Sequence, residues 1–334
     1  MIKDSTYIKR CIAIAKNALG TAAPNPAVGC VIVYKDKIIG EGYTSAYGGP
    51  HAEVNAIASV KNKELLVDST LYVSLEPCCH HGKTPPCTNL IIKHKIPRVV
   101  IGCVDTNKKV SGKGIAALES AGCTVVVGVE EELCSAHHRR FFTFQNKKRP
   151  YIILKWAETK NGYIAPLTKN TKKPVWISTP QSRQLVHQWR SEEHAILVGG
   201  NTILEDNPRL TTRLVSGRNP IRIVVDHKGN LPKSAAVFDD KAQTIVLTPE
   251  HVDFKKNSAQ QLCAKLHDMS ILSVLVEGGQ KTLQHFIDEN LWDEIRLFRS
   301  SIEFNTGIKA PNFSEHPISK KNSTGDELLL FKNV

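Results

Sequence analysis

Pro50-His51-Ala52-Glu53 and the later Glu76-Pro77-Cys78-Cys79-His80-His81-Gly82-Lys83-Thr84-Pro85-Pro86-Cys87 bring together one imidazole, two thiols set behind prolines and a carboxylate two residues from the imidazole. His51, Cys78 and Cys87 make three zinc ligands and leave the fourth position of a tetrahedral ion to a water whose pKa the metal lowers. Glu53, itself no ligand, then carries protons, and this order of residues is the one zinc deaminases of nucleobases use. Pro50 and Pro85-Pro86 suit helix starts, so His51 and Glu53 are expected in the first turn of one helix. Cys87 is expected to open another, ahead of Leu90-Ile91-Ile92. Two helix N-termini facing one metal favour thiolate over thiol. Cys78 and Cys87 stand nine residues apart instead of the three of a short P-C-x-x-C motif, which leaves Cys79 and His80 as rival ligands. A closed structural zinc site, or simply buried cysteines, would use the same thiols but has no need of Glu53.

Outward from this stretch, Ile8, Cys11, Ile12, Ala15 and Leu19 share one face of an expected helix over 5–19 that ends at Gly20. Strands are expected at Val28–Tyr34 and Ile38–Tyr43, around a Lys35-Asp36-Lys37 turn, and at Leu71–Leu75, Arg98–Val104 and Cys123–Val129. Helices near 88–95 and 113–121 complete an αββαβαβαβ layout. A flanked sheet of this kind binds ligands beyond its strand ends and at helix N-termini, where the zinc motifs fall.

A helical run from Leu133 to Phe144 meets the charged Asn146-Lys147-Lys148-Arg149-Pro150, where the domain boundary is placed: residues 1–147 and 148–334. Beyond it, strands are expected at Tyr151–Leu154, Ala195–Val198, Ile221–Val225, Thr244–Leu247, Ile271–Val276, Glu294–Phe298 and Leu328–Phe331. Helices are expected over 180–192, 257–267 and 281–290, so this half is also α/β, without repeats or low-complexity segments. It holds no G-x-G-x-x-G fingerprint, which disfavours an ordinary Rossmann dehydrogenase. Gly199-Gly200-Asn201-Thr202 and Glu277-Gly278-Gly279 each follow an expected strand; such bare backbone admits a phosphate at a helix N-terminus, though a pair of glycines after a strand is more often just a turn.

The loop Glu76 to Cys87 resembles the riboflavin-biosynthesis deaminases, whose loop reads E-P-C-x-H-x-G-[KR]-T-P-P-C. Pro24-Asn25-Pro26-Ala27-Val28-Gly29, Asp105-Thr106-Asn107 and Gly112-Lys113-Gly114 agree with it, and the second half is similar to the reductase domain fused to these deaminases. The resemblance implies a cytidine-deaminase-like three-layer domain followed by a dihydrofolate-reductase-like α/β domain, with one zinc per chain and NADPH as cofactors. It implies deamination of a 2,5-diamino-6-ribosylamino-pyrimidinone 5′-phosphate, then reduction of the ribosyl group of the resulting uracil to ribityl. By the same resemblance Asn25, Lys83, Asp105 and Asn107 match deaminase substrate positions, with Lys83 the phosphate partner. Trp176, Thr202, Asp206, Gly278 and Gly279 match positions lining the cofactor, and Arg190, Leu210, Arg213 and Glu277 positions around the sugar phosphate. The arginines suit phosphate by their planar, bidentate donors. Thr44, Asn161 and Pro174 depart from the family pattern, standing where histidine, the aspartate of S-L-D-G and a serine are common.

A 37.0 kDa chain with 41% hydrophobic residues has material for two cores. There is no apolar run near 18 residues and no charged-then-apolar leader, so a cytoplasmic protein without membrane contact is expected. Nine cysteines, an odd count with two given to zinc, fit a reducing compartment better than a disulfide framework. The net charge of +12 leans to the first half, where residues 1–150 carry 20 Lys+Arg against 12 Asp+Glu. Such a surplus suits phosphorylated small molecules; without interleaved aromatics it does not indicate nucleic acid. A tRNA deaminase would use the charge but leave residues 151–334 unexplained, and a non-catalytic zinc-containing binding protein requires a fourth protein ligand. Nothing in the sequence decides between monomer and homo-oligomer.

Overall fold

In a computed structural model the chain divides into two compact units, Met1–Lys148 and Arg149–Val334. The residues described are 2–80, 85–106, 111–169, 171, 173–323 and 325–333.

The first unit runs α1 (Ile2–Ala15), β1 (Gly29–Tyr34), β2 (Lys37–Tyr43), α2 (Ala52–Ser59), β3 (Thr70–Leu75), α3 (Cys87–Lys93), β4 (Arg98–Cys103), α4 (Lys113–Ser120), β5 (Thr124–Val127) and α5 (Glu131–Lys147). These strands form one sheet in the order β2-β1-β3-β4-β5, antiparallel across β2-β1-β3 and parallel across β3-β4-β5. β3 and β4 are buried almost throughout, the signature of parallel strands covered on both faces by helices. The β1-β2 hairpin turns through Lys35 and Asp36, both at positive φ, which matches the right-handed twist of its strands. α1 stops at Ala15 and tightens into a 3₁₀ turn at Lys16–Ala18, so its buried face is Ile8, Cys11, Ile14, Ala15 and Ala18. Ile12 and Leu19, expected on that face, are half-buried; Leu19 lies past the tightened turn, which rotates it off the helical face.

The second unit runs β6 (Tyr151–Glu158), β7 (Tyr163–Ala165), α6 (Pro180–Glu192), β8 (Ala195–Gly199), α7 (Gly200–Asp206), β9 (Ile221–Val225) and β10 (Thr244–Leu247). It continues with α8 (Ser258–Asp268), β11 (Ser273–Val276), α9 (Gln280–Asp288), β12 (Glu294–Arg299), β13 (Ile308–Lys309), β14 (Ser319–Ser323) and β15 (Asp326–Lys332). Eight strands make a sheet in the order β10-β9-β8-β11-β6-β12-β15-β14, parallel as far as β12 and antiparallel beyond it; β7 and β13 pair separately. Its largest core packs Leu262, Leu266, Leu283 and Phe286 from α8 and α9 against Ile152, Leu154, Leu197 and Val276 of the sheet. Strand order places the C-terminal ends of β8, β11 and β6 side by side, where a parallel sheet binds ligands. The short α7 starts at Gly200 directly after β8, with Gly199 as its N-cap, where no separate helix was expected.

Candidate functional site

In the first unit the sheet order gathers four loops at one end. Because β1 runs against β3, the start of β1 lies beside the ends of β3 and β4 and is paired to the end of β2 through Gly29 and Tyr43. The segments carrying Asn25, His51, Cys78 and Asp105 therefore leave the same edge. His51 is the N-cap of α2, one residue earlier than a first-turn position, with extended backbone (φ −75°, ψ 167°). Glu53 is buried in the first turn of α2. α2 lies hard on β2, since a Cβ on Gly42 would meet the Ala56 nitrogen at 2.3 Å and the Ala52 oxygen at 2.5 Å. Cys78 follows β3, and Cys87 opens α3 with Pro86 as its N-cap.

His51 Nδ1 stands 3.5 Å from Cys78 Sγ and 3.4 Å from Cys87 Sγ, and the three ligand atoms all lie within 4.8 Å of one another. Zinc bonds of about 2.0 Å to nitrogen and 2.3 Å to sulfur at tetrahedral angles put such atoms about 3.6 Å apart, so the cradle fits the ion. Cys79 and His80 are not in this cluster, and among the described residues no fourth His, Cys, Asp or Glu joins it. The backbone N–H of Cys87 donates to Cys78 Sγ at 3.4 Å, while Thr88 ties down the Cys78 carbonyl through its N–H and its hydroxyl. A hydrogen bond from Cys87, then His51, holds the Cys78 thiol down; the same bond and burial push Cys87 up. Burial foremost, then the nearby Cys78 charge, raises the Glu53 carboxyl from 4.5 to about 7. A buried carboxyl beside the ligand set is placed to carry protons.

Asn25 is half-buried in the loop before β1, its N–H bonded to the Ala22 carbonyl, and His137 Nε2 holds the Ala27 carbonyl of the same loop at 2.8 Å. Asp105 is buried two residues past β4. Lys83 and Asn107 lie outside the described residues. Thr44 is buried and exchanges hydrogen bonds with the Val28 backbone, closing the mouth of the β1-β2 pair.

In the second unit, Arg190 Nε and Nη2 each donate to a Glu277 carboxylate oxygen at 2.7 Å, and Nη1 donates to the Thr211 carbonyl. Arg190 and Glu277, both matched to the surroundings of the sugar phosphate, are thus paired with each other through the bidentate fork of the guanidinium. Burial by itself would raise Glu277, but Arg190, with Lys155 and His187, holds its carboxyl at about 2. Leu210 has its side chain buried with Ile196, Val198, Ile203 and Val237, and its backbone is at φ 53°. Gly199 N–H donates to the Gly278 carbonyl at 2.9 Å, which joins the starts of α7 and α9. Gly279 abuts Thr202, whose hydroxyl a Cβ would meet at 3.4 Å. Bare backbone between two helix N-termini suits the phosphates of a dinucleotide. Asp206, the last residue of α7, is ion-paired with Lys169. Trp176 is exposed with the Arg183 guanidinium stacked on it at 4.6 Å.

Two residues of this site escaped the sequence reading. The β6-β11 register pairs Leu154 with Val276, so Lys155 and Glu277 follow side by side, and burial lowers the Lys155 ammonium. A lone lysine inside Tyr151-Ile152-Ile153-Leu154-Lys155-Trp156 was the available signal. His187 accepts the Arg213 N–H at Nδ1, and burial, then Arg190 and Arg213, lower it to about 4, so it is the neutral, Nε2-protonated imidazole that holds the Arg213 backbone.

Residues 1–103 match the family model of the cytidine and deoxycytidylate deaminase zinc-binding region, and residues 150–303 match the RibD C-terminal domain. The chain is 38% identical to the riboflavin biosynthesis protein RibD of Aquifex aeolicus over 98% of both chains. It superposes with TM-score 0.90 on a diaminohydroxyphosphoribosylaminopyrimidine deaminase/5-amino-6-(5-phosphoribosylamino)uracil reductase from Thermotoga maritima, at 38% identity over 99% of each chain. RibD of Acinetobacter baumannii gives 0.87 at 28% identity, over 99% of this chain and 98% of that one. With a cytidine-deaminase fold followed by a dihydrofolate-reductase-like one, a zinc cradle and a site for NADPH, the chain belongs to the bifunctional RibD family of riboflavin-biosynthesis deaminase/reductases.

Proposed function

We propose that residues 1–147 deaminate 2,5-diamino-6-ribosylamino-pyrimidinone 5′-phosphate at the Glu53 end of the first sheet, and that residues 148–334 reduce the ribosyl group of the product to ribityl. The observation that carries the first assignment is the three-ligand cradle with the buried Glu53 beside it, held out of the ligand set. When bound by His51, Cys78 and Cys87, zinc makes water acidic enough to attack near neutral pH. Glu53 would accept one proton of the attacking water on a carboxylate oxygen and pass it to the ring nitrogen, then accept the second as the new carbonyl forms and pass it to the amino group, which leaves as ammonia. Asn25, Asp105 and Asn107 orient the pyrimidine, and Lys83 meets the phosphate.

In the second unit NADPH supplies the reducing equivalents. Gly278-Gly279, Thr202, Asp206 and Trp176 seat the cofactor; Arg213 takes the sugar phosphate, and Lys155 and Glu277 orient the ribosyl group. Arg190 acts on the substrate through Glu277, which it keeps ionised, and Leu210 acts through its backbone. The positive surplus serves these phosphorylated pyrimidines and not nucleic acid, and the enzyme works in the cytoplasm. A tRNA deaminase has no use for the second unit, and a non-catalytic zinc protein has none for Glu53.

The test is incubation of the purified chain with the diaminopyrimidine substrate, with and without NADPH. Ammonia is expected in both arms and the ribityl product only with NADPH. Glu53→Gln and Asp206→Ala should each lose one activity, and their mixture should complete the conversion after a lag. No ammonia from the wild-type chain would refute the first assignment, and NADPH left unoxidised with the deaminated intermediate would refute the second.

A further inference from the structure

Glu76 ends up nearly fully buried one residue past β3, and its carboxylate accepts four backbone N–H groups from a segment about 30–40 residues away in sequence. Oε2 accepts from Asp105 at 3.2 Å and Gly112 at 3.0 Å; Oε1 accepts from Gly114 at 2.9 Å and Ile115 at 3.3 Å. Two donors on each oxygen fill the lone pairs of an ionised carboxylate. The Gly114 and Ile115 amides belong to the first turn of α4, whose N-cap, Gly112, has no capping side chain of its own. A second contact fixes the same segment: a Cβ on Gly114 would meet the Pro77 carbonyl oxygen at 2.2 Å, so α4 touches the chain immediately before Cys78. Glu76 is itself tied to β4, its N–H donating to the Cys103 carbonyl at 3.0 Å.

We infer that Glu76 is a positioning residue of deamination: it sets Asp105, a proposed substrate contact, and the start of α4 in register with the zinc ligand Cys78. This rests on the assignment of that sheet end to the deaminase site. The connection is short and stiff, since Pro77 alone separates Glu76 from Cys78 and its ring fixes φ. Loss of the bond to its N–H frees Asp105 to move against the ligand cradle. The same geometry makes the start of α4 unfit as a phosphate site, because the protein's own carboxylate already fills its amides.

Glu76→Gln places an NH2 group against two of the four donors, while the second unit of the same chain is an internal control. Deamination kinetics, zinc content and NADPH-dependent reduction are measured on one preparation of the full-length variant. The KM for the diaminopyrimidine should rise about ten-fold or more, with a smaller fall in kcat, as expected for lost substrate positioning. Zinc content and reduction should match wild type. An unchanged KM with zinc bound overturns the proposal. If Glu76→Gln loses zinc, Glu76→Asp decides: zinc retained with a raised KM sustains the inference, and zinc retained with an unchanged KM, or zinc lost again, overturns it, the last making Glu76 part of the metal framework. If the wild-type chain releases no ammonia, the deaminase assignment itself has failed. Amide exchange then reads the cradle directly: acceleration of the Asp105, Gly112, Gly114 and Ile115 amides together in Glu76→Gln sustains the anchoring role, and unchanged exchange overturns it.

Discussion

Replacing Glu277 by Gln in the second unit keeps the side chain's shape and removes its charge, leaving the Arg190 guanidinium buried opposite an amide. Both partners are almost out of solvent, with side chains 11% and 9% exposed. The fall of the Glu277 carboxyl from 4.5 to about 2 corresponds to about 3 kcal/mol in favour of its ionised form in the folded chain. Breaking a buried pair by removing one partner costs about 3–5 kcal/mol, so the two routes agree. Trp156, Trp176, Trp189 and Trp292, the four tryptophans of the chain, all lie in the second unit, so tryptophan fluorescence in urea reports that unit alone. With a slope of about 2 kcal/mol per molar, the midpoint should fall by about 1.5–2.5 M at pH 7. Since the folded carboxyl titrates below its unfolded value, its contribution is complete above pH 4.5 and is lost as pH falls towards 2. The gap between wild type and Glu277→Gln should therefore be constant from about pH 5 to 8 and close on acidification. A midpoint shift equivalent to less than about 1 kcal/mol, or a gap that widens in acid, would refute the reasoning.

Mild chelation of zinc should abolish ammonia release and leave NADPH oxidation with the deaminated intermediate intact; equal loss of both in a folded chain would contradict the separation of the sites. Glu53→Gln should retain zinc while deamination falls roughly a hundred-fold or more, so a loss under ten-fold speaks against Glu53 as the proton carrier. Gly42→Ala drives a methyl into the Ala52 carbonyl and the Ala56 amide and should cost about 1–3 kcal/mol in the first unit, seen as earlier loss of zinc on heating with reductase activity unchanged. Lys83→Ala should weaken the phosphorylated substrate by roughly 1.5–3 kcal/mol; the same loss with the dephosphorylated substrate would give the lysine another role.

The first unit was almost wholly legible in advance, because its information is local. Leu71–Leu75 and Arg98–Cys103 are short apolar runs bounded by turn residues, as buried parallel strands must be. Pro50 and Pro86 mark helix starts that both formed within a residue of expectation. The zinc set was legible for the same reason, since its ligand types and the nearby carboxylate specify a chemistry whatever the fold around them. Elements that depend on a distant partner were not. β14, Ser319-Lys320-Lys321-Asn322-Ser323, has no alternation to read and exists by pairing with β15. α7 spans seven residues from Gly200, too short for a periodic signal.

The second site shows where linear reading stops. Arg190, as an arginine among expected phosphate contacts, carried no sign that Glu277, 87 residues on, would take its fork. Leu210 gave no hint that its side chain would join the core beneath β8 and β9 at a positive φ. Lys155 beside Glu277 follows from strand register, and the four amides around Glu76 from the approach of α4 to the end of β3. Residue type and short spacing fix which chemistry a chain carries. Which charge meets which is set by the pairing of strands far apart in sequence, because a buried ionic or polar group must find its partner wherever packing brings one within hydrogen-bond reach.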